Sequence, residues 1–213
     1  MLPLLVGIAG GSGSGKTSLA EGLVAALPAG RAVVVPADAY YRDLAHLPPA
    51  ARARHNFDEP AALDEERLCA DLGRLARGEA AARPVYDFAT HTRRPELVAL
   101  PARPLLLVEG ILVLALPAVR PLLGLKVFVD ASEPVRLARR IARDVGERGR
   151  TRASVQAQFA RHTRPMHALH VEPSRAFADL VVSGEEDLAR GVSRVLARLP
   201  ACSWTDAPRA GDA

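Results

Sequence analysis

The stretch that decides the fold is GIAGGSGSGKTS at residues 7–18, where five glycines and three serines accompany a single lysine. The apolar run at residues 4–9 predicts a buried strand before it, and the spacing of leucines over 17–27 predicts a helix after it. Between them, GGSGSGKT at residues 10–17 matches the phosphate-binding loop pattern in the strand–loop–helix setting that this pattern requires. The chain is therefore predicted to bind a nucleoside triphosphate.

Each residue type in the loop has a physical reason. Glycines allow the backbone to curl so that successive N–H groups converge on one anion. Lys16, one of two lysines in the sequence, is a compact charge for the outer phosphates, and the Thr17 hydroxyl is a Mg²⁺ ligand. The predicted nucleotide-binding residues here are Gly10, Gly11, Ser12, Gly13, Ser14, Gly15, Lys16, Thr17 and Ser18.

Composition narrows the class of protein. A chain of 213 residues that is 49% hydrophobic can bury one substantial core. The net charge of +4 raises nucleic acid as a partner, but acids are interspersed and no aromatic and basic stripe is present, so we expect no nucleic-acid binding. Two cysteines give no disulfide framework. No apolar run reaches the length of a membrane span, and no secretory signal precedes the loop, so a cytoplasmic enzyme that binds no membrane is expected.

Apolar runs and helical patterns alternate along the chain. Strands are predicted at 4–9, 32–36, 105–108, 126–129 and 180–182, and helices at 17–27, 62–77, 134–146, 154–170 and 187–199. This alternation predicts an α/β fold, a five-stranded parallel sheet with helices on both faces, in a single domain over residues 1–200. A proline-rich segment at about 39–104, with turns around a single helix, reads as an insertion over the strand ends, where such sheets bind ligands. Residues 201–213 are predicted to be a disordered tail.

Two acids follow predicted strands. Asp38 comes just after AVVVP, where a strand beside the phosphate loop would place a carboxylate near the γ-phosphate. A kinase needs such a base for its acceptor hydroxyl, but aspartate also suits a turn or helix cap, and spacing alone favours neither. Glu109 ends LLLVE, where an acid commonly holds Mg²⁺ through water; the alternative is an acid at an exposed strand end.

Three further segments could carry chemistry. PVYDFATHTRR at 84–94 combines two aromatics with a histidine, which suits either a pocket for a heterocycle or a hairpin with a half-buried aromatic face. In NFDEP, Asp58 could accept bonds from two sugar hydroxyls or cap the next helix. Arginines concentrate in RLARRIARDVGERGR at 136–150. A solvated basic face is the ordinary interpretation, but the run follows the strand KVFVD and would lie over the triphosphate. This position favours a lid, over about 136–158, that stabilises a transferring phosphoryl group.

Taken together, these strings resemble the uridine kinase family, whose relatives include the phosphoribulokinases. The matching strings, in family order from residue 6 to about 190, are GGSGSGKT, DAYYRDL, NFDEP, PVYDFATHTR, LLLVEGIL, KVFVDASEPVRLARRIARDVGERGR, Gln158, VEPSRAFAD and Gly184. Many NTPases share the phosphate loop, whereas the pair VYDFxxHxR and RDxxERGR is highly specific.

The resemblance implies a role for each candidate residue. The implied catalytic residues are Asp38, as general base for a ribose 5′-hydroxyl, with Lys16, Arg143 and Arg148 serving the phosphates. The implied metal ligands are Thr17, Glu109 and Asp38. Asp58 would hold the 2′ and 3′ hydroxyls, and the other implied nucleoside contacts are Tyr86, Phe88, His91, Arg140, Arg150 and Gln158.

This sequence departs from the family pattern in two places. Glu59 and Ala61 stand where the family usually has histidine and aspartate. The strand at 180–182 runs into SGEED, where the family has a proline and an arginine before the glycine. Glu186, or else Asp187, would therefore lie near the nucleotide base, and the sequence does not decide between them.

The implied activity is pyrimidine salvage, in which the γ-phosphate of ATP or GTP is transferred to uridine or cytidine. The nearest alternative is a related kinase for another alcohol, such as a phosphoribulokinase or pantothenate kinase, but a sugar phosphate would need cations at 84–94. A regulatory NTPase would need neither Asp38 nor the arginine lid. The resemblance also implies Mg²⁺ as cofactor and a homotetramer.

Overall fold

A computed structural model describes residues 2–200; the predicted tail at 201–213 lies outside the described residues. Five parallel strands form the central sheet in the order β2-β5-β1-β6-β7. Their bounds are β1 Leu4–Gly10, β2 Ala32–Pro36, β5 Leu105–Glu109, β6 Leu125–Asp130 and β7 Leu180–Ser183. All five predicted strands are confirmed.

Helices cover both faces of this sheet, as the alternating pattern predicts. The helices are α1 Lys16–Ala25, α2 Pro49–Arg52, α3 Glu65–Ala76, α4 Glu133–Arg148, α5 Arg152–Gln158, α6 Arg164–Met166, α7 Glu172–Ser174 and α8 Leu188–Leu196. One core packs leucines of α1 and valines of α8 on one face, and a second core packs leucines of α3 on the other. Strand β5, an interior strand of the sheet, is buried throughout because it lies between both cores.

The predicted helix at 154–170 is part of a longer helical arm at residues 152–177. Two π-helical stretches, Phe159–Thr163 and His167–Val171, interrupt this arm around α6 and α7. Pro165 and Pro173 lie inside it, and proline has no N–H to continue an α-helical ladder. The wider turns allow the arm to continue past the end that periodicity predicts.

The segment at about 39–104 is richer in structure than the single helix expected from the sequence. Besides α3, it contains the short helix α2 and a separate antiparallel hairpin made of β3 Ala81–Asp87 and β4 Thr92–Leu100. The pairing register shifts between Pro84 and Val85 because proline cannot donate to the ladder. The hairpin interpretation of residues 84–94 is therefore confirmed as far as the backbone is concerned.

No helix within residues 2–200 is long and apolar enough to cross a lipid bilayer.

Two chain segments approach closely where β7 ends. The Gly184 N–H donates to the Asp130 carbonyl at 2.7 Å, which places its α-carbon directly against the phosphate loop. A side chain at Gly184 would overlap the carbonyl oxygen of Ser14. The loop therefore needs a glycine at this position for steric reasons.

We expect Gly184→Ala to lower the free energy of unfolding by about 1–3 kcal/mol, since the added methyl group meets backbone that cannot turn away. Urea unfolding without nucleotide measures this change. Gly146→Ala is the matched control: a Cβ there has no neighbour within 4 Å, so the helix should gain about 0.5–1 kcal/mol. Equal effects of both variants would contradict the steric argument.

Candidate active site

A cavity of about 1110 Å³ opens at the carboxyl ends of the sheet strands. Its walls come from the phosphate loop, the insertion, α4 and the helical arm. Of the residues predicted for the site, Gly10, Gly11 and Ser14 do not line the cavity. The cavity is lined by the other predicted residues, Ser12, Gly13, Gly15, Lys16, Thr17, Ser18, Asp38, Asp58, Tyr86, Phe88, His91, Glu109, Arg140, Arg143, Arg148, Arg150, Gln158 and Glu186.

The phosphate loop has the backbone that its glycines permit. Gly13 and Gly15 have φ angles of 82° and 104°, in the region that side chains rarely adopt. Helix α1 begins at Lys16, whose buried Nζ donates to the Gly11 carbonyl at 2.9 Å. Burial lowers the pKa of Lys16, while the Glu109 and Asp38 carboxylates oppose that shift. The Lys16 ammonium group is thus held inside the phosphate loop by a backbone carbonyl.

Two carboxyl groups face this lysine from neighbouring strands. Pro36 of β2 pairs with Glu109 of β5, so the two strands end at the same level and bring Asp38 and Glu109 together. Burial raises the pKa of Asp38, although Lys16 and nearby arginines lower it. Asp38 lies in the 3₁₀ turn Ala37–Tyr40, and no side-chain hydrogen bond caps that turn. The cap interpretation of Asp38 therefore lacks the bond that would define it.

The environment of Glu109 is equally specific. Its side chain is buried and accepts a hydrogen bond from the Thr17 hydroxyl. Burial, followed by the Asp38 charge, raises the pKa of Glu109 to about 7. The alternative of an exposed strand-end acid is wrong.

Oxygen donors of this kind fit Mg²⁺, which binds through one or two carboxylates together with substrate phosphates. Among residues 2–200, no cluster of three or more histidine, cysteine or acidic side chains could hold a metal by itself. The Thr17 hydroxyl and the two carboxyl groups thus suit an ion that arrives with a nucleotide.

Aromatic side chains line the opposite end of the cavity. The rings of Phe57 and His91 stack at 4.7 Å between centroids, and Tyr86 and Phe88 meet edge to face at 5.3 Å. His91 adopts a φ of 56°, in the left-handed region that few residues other than glycine adopt. Burial, with the charges of Arg150 and Arg148, lowers the pKa of His91, which favours the neutral ring.

Two further polar groups face this aromatic region. The Tyr86 hydroxyl is buried and has no hydrogen-bond partner in the described part of the chain. The Asp58 carboxylate is also buried, and its Oδ1 lies 3.9 Å from Nη1 of Arg140. Both residues line the cavity. The hairpin and pocket interpretations of 84–94 are therefore compatible, because the hairpin presents its aromatic face to the cavity.

A buried acid that the sequence pattern does not single out organises the arginines of this region. Asp144 is fully buried, and its carboxylate oxygens lie 2.8 Å from Nη2 of Arg143 and 3.2 Å from Nη1 of Arg150. Arg140 and Arg148 each approach it to 3.6 Å. These two arginines stand four residues before and after Asp144, a spacing that could have identified it.

Other bonds tie these arginines to the rest of the cavity. Arg140 donates to the Ser12 hydroxyl at 3.1 Å and to the Gln158 side chain at 3.0 Å. Arg150 donates to the same Gln158 oxygen at 2.6 Å. Arg136, from the same arginine-rich string, packs against Gly11 instead.

The end of the cavity near β7 distinguishes the two acids that the sequence left undecided. Glu186 lines the cavity and lies 3.4 Å from Nε of Arg190. Asp187 caps helix α8, because its side chain accepts from the Ala189 N–H. Arg139, which we had not predicted, also lines this end and donates to the Gly184 carbonyl at 2.8 Å.

A phosphate loop, two acids beside its lysine and an arginine cluster over the same cavity define a P-loop kinase. The chain belongs to the phosphoribulokinase/uridine kinase family, whose sequence model matches residues 5–188.

Two relatives of similar length are named uridine kinase. A uridine kinase from Chloroflexus aggregans is 43% identical over 199 residues, which cover 93% of this chain and 95% of the relative. A uridine kinase from Brevibacillus brevis is 42% identical over 180 residues, covering 84% of each chain.

Solved structures with low sequence identity share the fold. Phosphoribulokinase from Rhodobacter spheroides aligns with a TM-score of 0.61 at 15% identity, over 85% of this chain and 70% of that one. D-glycerate 3-kinase from Cryptococcus neoformans aligns with a TM-score of 0.60 at 16% identity, over 87% and 88%. The predicted P-loop fold is confirmed.

The raised pKa of Glu109 predicts a pH dependence of stability without metal or nucleotide. A carboxyl group with a folded pKa of about 7 and an ordinary value of 4.5 binds its proton more tightly when folded. Its contribution to stability is therefore present below about pH 4.5 and is lost as the pH rises through about 7. We expect Glu109→Gln to gain stability relative to the unmodified protein between pH 5 and pH 8, measured by urea unfolding.

Glu96→Gln on the exposed face of β4 is the control, and its stability difference should stay flat over the same range. A Glu109→Gln difference that stays constant, or that falls as the pH rises, would contradict the raised pKa.

Proposed function

We propose that this protein is a uridine kinase that transfers the γ-phosphoryl group of ATP or GTP to the 5′-hydroxyl of uridine or cytidine. The observation that carries the proposal is one continuous cavity. It joins a phosphate loop, at one end, to an aromatic pocket with a buried carboxylate at the other. The names of relatives that are 42–43% identical over 93% of this chain support the same activity.

In this proposal Asp38 is the general base. Its carboxylate takes the proton of the 5′-hydroxyl while that oxygen bonds to the γ-phosphorus, and the bond to the β–γ bridging oxygen breaks. Burial raises the pKa of Asp38, which makes the carboxylate a stronger base for this step. Asp38 lies on the same cavity wall as Lys16, beside the position of the phosphates.

Cations around the phosphates stabilise the charge that spreads during transfer. Lys16 would exchange its bond to the Gly11 carbonyl for the outer phosphate oxygens. Arg143 and Arg148, held by Asp144, would contact the transferring group from the lid. Mg²⁺ would be held by Thr17, Glu109 and Asp38 with the phosphates, and it would neutralise phosphate charge when bound.

The acceptor end suits a pyrimidine nucleoside. Tyr86, Phe88 and His91 would enclose the base, and Asp58 would accept bonds from the 2′ and 3′ hydroxyls. Further contacts to the nucleoside would come from Arg140, Arg150 and Gln158. A sugar phosphate such as ribulose 5-phosphate would instead leave the aromatic surface without an apolar partner.

Other parts of the proposal rest on the resemblance. We propose one kinase domain over residues 1–200, with an acceptor-binding insertion at about 39–104 and a lid at about 136–158. Glu186 and the loop residues 10–18 would bind the nucleotide. A cytoplasmic location and a homotetramer are further proposals, tested by cell fractionation and by light scattering of the purified protein.

A panel of acceptors with ATP, GTP and Mg²⁺ tests the function. We expect UMP from uridine and CMP from cytidine, with catalytic efficiencies within about two orders of magnitude. A neutral His91 ring can donate to uracil O4 or accept from the cytosine amino group, depending on its tautomer. Ready phosphorylation of adenosine or ribulose 5-phosphate, or rejection of uridine, would contradict the proposal.

We expect Asp38→Asn to slow turnover by roughly 10²–10⁴-fold, the range for loss of a general base. Uridine binding, measured by calorimetry, should stay nearly unchanged, because the amide preserves the shape of the cavity wall. Turnover close to that of the unmodified enzyme at neutral pH would assign the base to another residue.

A further inference from the structure

The two oxygens of the Asp58 carboxylate have different surroundings. Oδ2 accepts a hydrogen bond of 2.9 Å from the hydroxyl of Thr163, which is only 3% exposed. Oδ1 faces the cavity side, where Nη1 of Arg140 lies 3.9 Å away. One oxygen is thus anchored to the helical arm, and the other has no such anchor.

The backbone at Asp58 is also fixed. Its N–H donates to the Asn56 side chain at 3.2 Å, which forms a local turn. With the backbone held, rotation of the carboxylate is the main freedom left to this residue. The Thr163 hydroxyl restricts that rotation, because a bond to Oδ2 is lost when the group turns.

The position of Thr163 is unusual for a helical threonine. Such a hydroxyl commonly bonds to a carbonyl of the preceding turn of its own helix. Thr163 ends the π-helical stretch Phe159–Thr163, and its hydroxyl reaches a residue 105 positions earlier in the chain. π-Helical turns are frequent at functional sites because they re-aim side chains.

We propose that Thr163 is a positioning residue for the acceptor: its hydroxyl fixes the Asp58 carboxylate in the orientation that receives a pair of vicinal hydroxyls. Each carboxylate oxygen has about two acceptor directions, so Oδ2 keeps one of them for the ligand while it is bound to Thr163. This inference rests on the proposed nucleoside kinase function. It adds a residue of the helical arm to the determinants of ribose recognition.

Thr163→Val tests the proposal, because valine keeps the shape of threonine and removes only the hydroxyl. Steady-state kinetics are measured with uridine and with 2′,3′-dideoxyuridine, which retains the 5′-hydroxyl but lacks the diol. We expect kcat/KM for uridine to fall about tenfold, mainly through KM, as for a lost bond to a charged group. For dideoxyuridine it should stay within about twofold, since that nucleoside makes no use of Asp58.

Three comparisons separate positioning from a general structural role. Thr163→Ser should restore the preference for uridine. Ser174→Ala removes another buried hydroxyl of the same arm, one that donates to the Val171 carbonyl, and should leave the preference unchanged. In an Asp58→Ala background, Thr163→Val should have no further effect on uridine, because residues that act through one another are not additive.

An equal fall for both nucleosides, or an additive effect in the Asp58→Ala background, would overturn the inference. If Thr163→Val does not fold, Thr163→Ala is measured against the same criteria. The unmodified protein is assayed first with uridine. Failure of that assay refutes the proposed function and the inference with it, whereas normal uridine turnover with an unchanged preference in the variant overturns the inference alone.

Discussion

Four guanidinium groups converge on the buried carboxylate of Asp144, and the shape of the cavity depends on this balance of charge. Four like charges held this close would repel one another strongly in a site of low dielectric. One carboxylate lowers that repulsion and also fixes the directions of the guanidiniums by charge-assisted bonds. The arginines are therefore arranged before any phosphate enters, which reduces the ordering that binding must cost.

The phosphate-loop side of the cavity also pairs buried charges, but here one cation lies among carboxyl groups instead of one carboxylate among cations. Lys16 is one cation between two carboxyl groups, and burial shifts the pKa of all three groups toward their neutral forms. A buried charge is tolerated only with partners. Asp38 and Glu109 supply them for the lysine. Both halves of the site thus keep their charges buried by pairing them internally.

The sequence predicts the sheet well because each strand is a continuous apolar run, and segments with helical spacing of apolar residues separate most of these runs. It predicts the phosphate loop well because a short pattern contains all of its chemistry. Asp144 was missed since it looks like one more polar residue on a charged helix. Thr163 was missed because its partner lies 105 residues away, and no local pattern reports such a contact. The sequence does not decide whether residues 84–94 form a hairpin, because prolines and aromatic residues interrupt the alternation of polar and apolar residues that marks a strand.

Contacts between helix α4 and the insertion join the two ends of the cavity. The guanidinium of Arg148 lies 4.7 Å above the ring of Phe88, a cation–π distance. Arg140 lies between the Ser12 hydroxyl of the phosphate loop and the Asp58 carboxylate of the insertion. A ligand that stacked on Phe88 would change the surroundings of Arg148. The two ends of the cavity are therefore linked through Arg140 and Arg148.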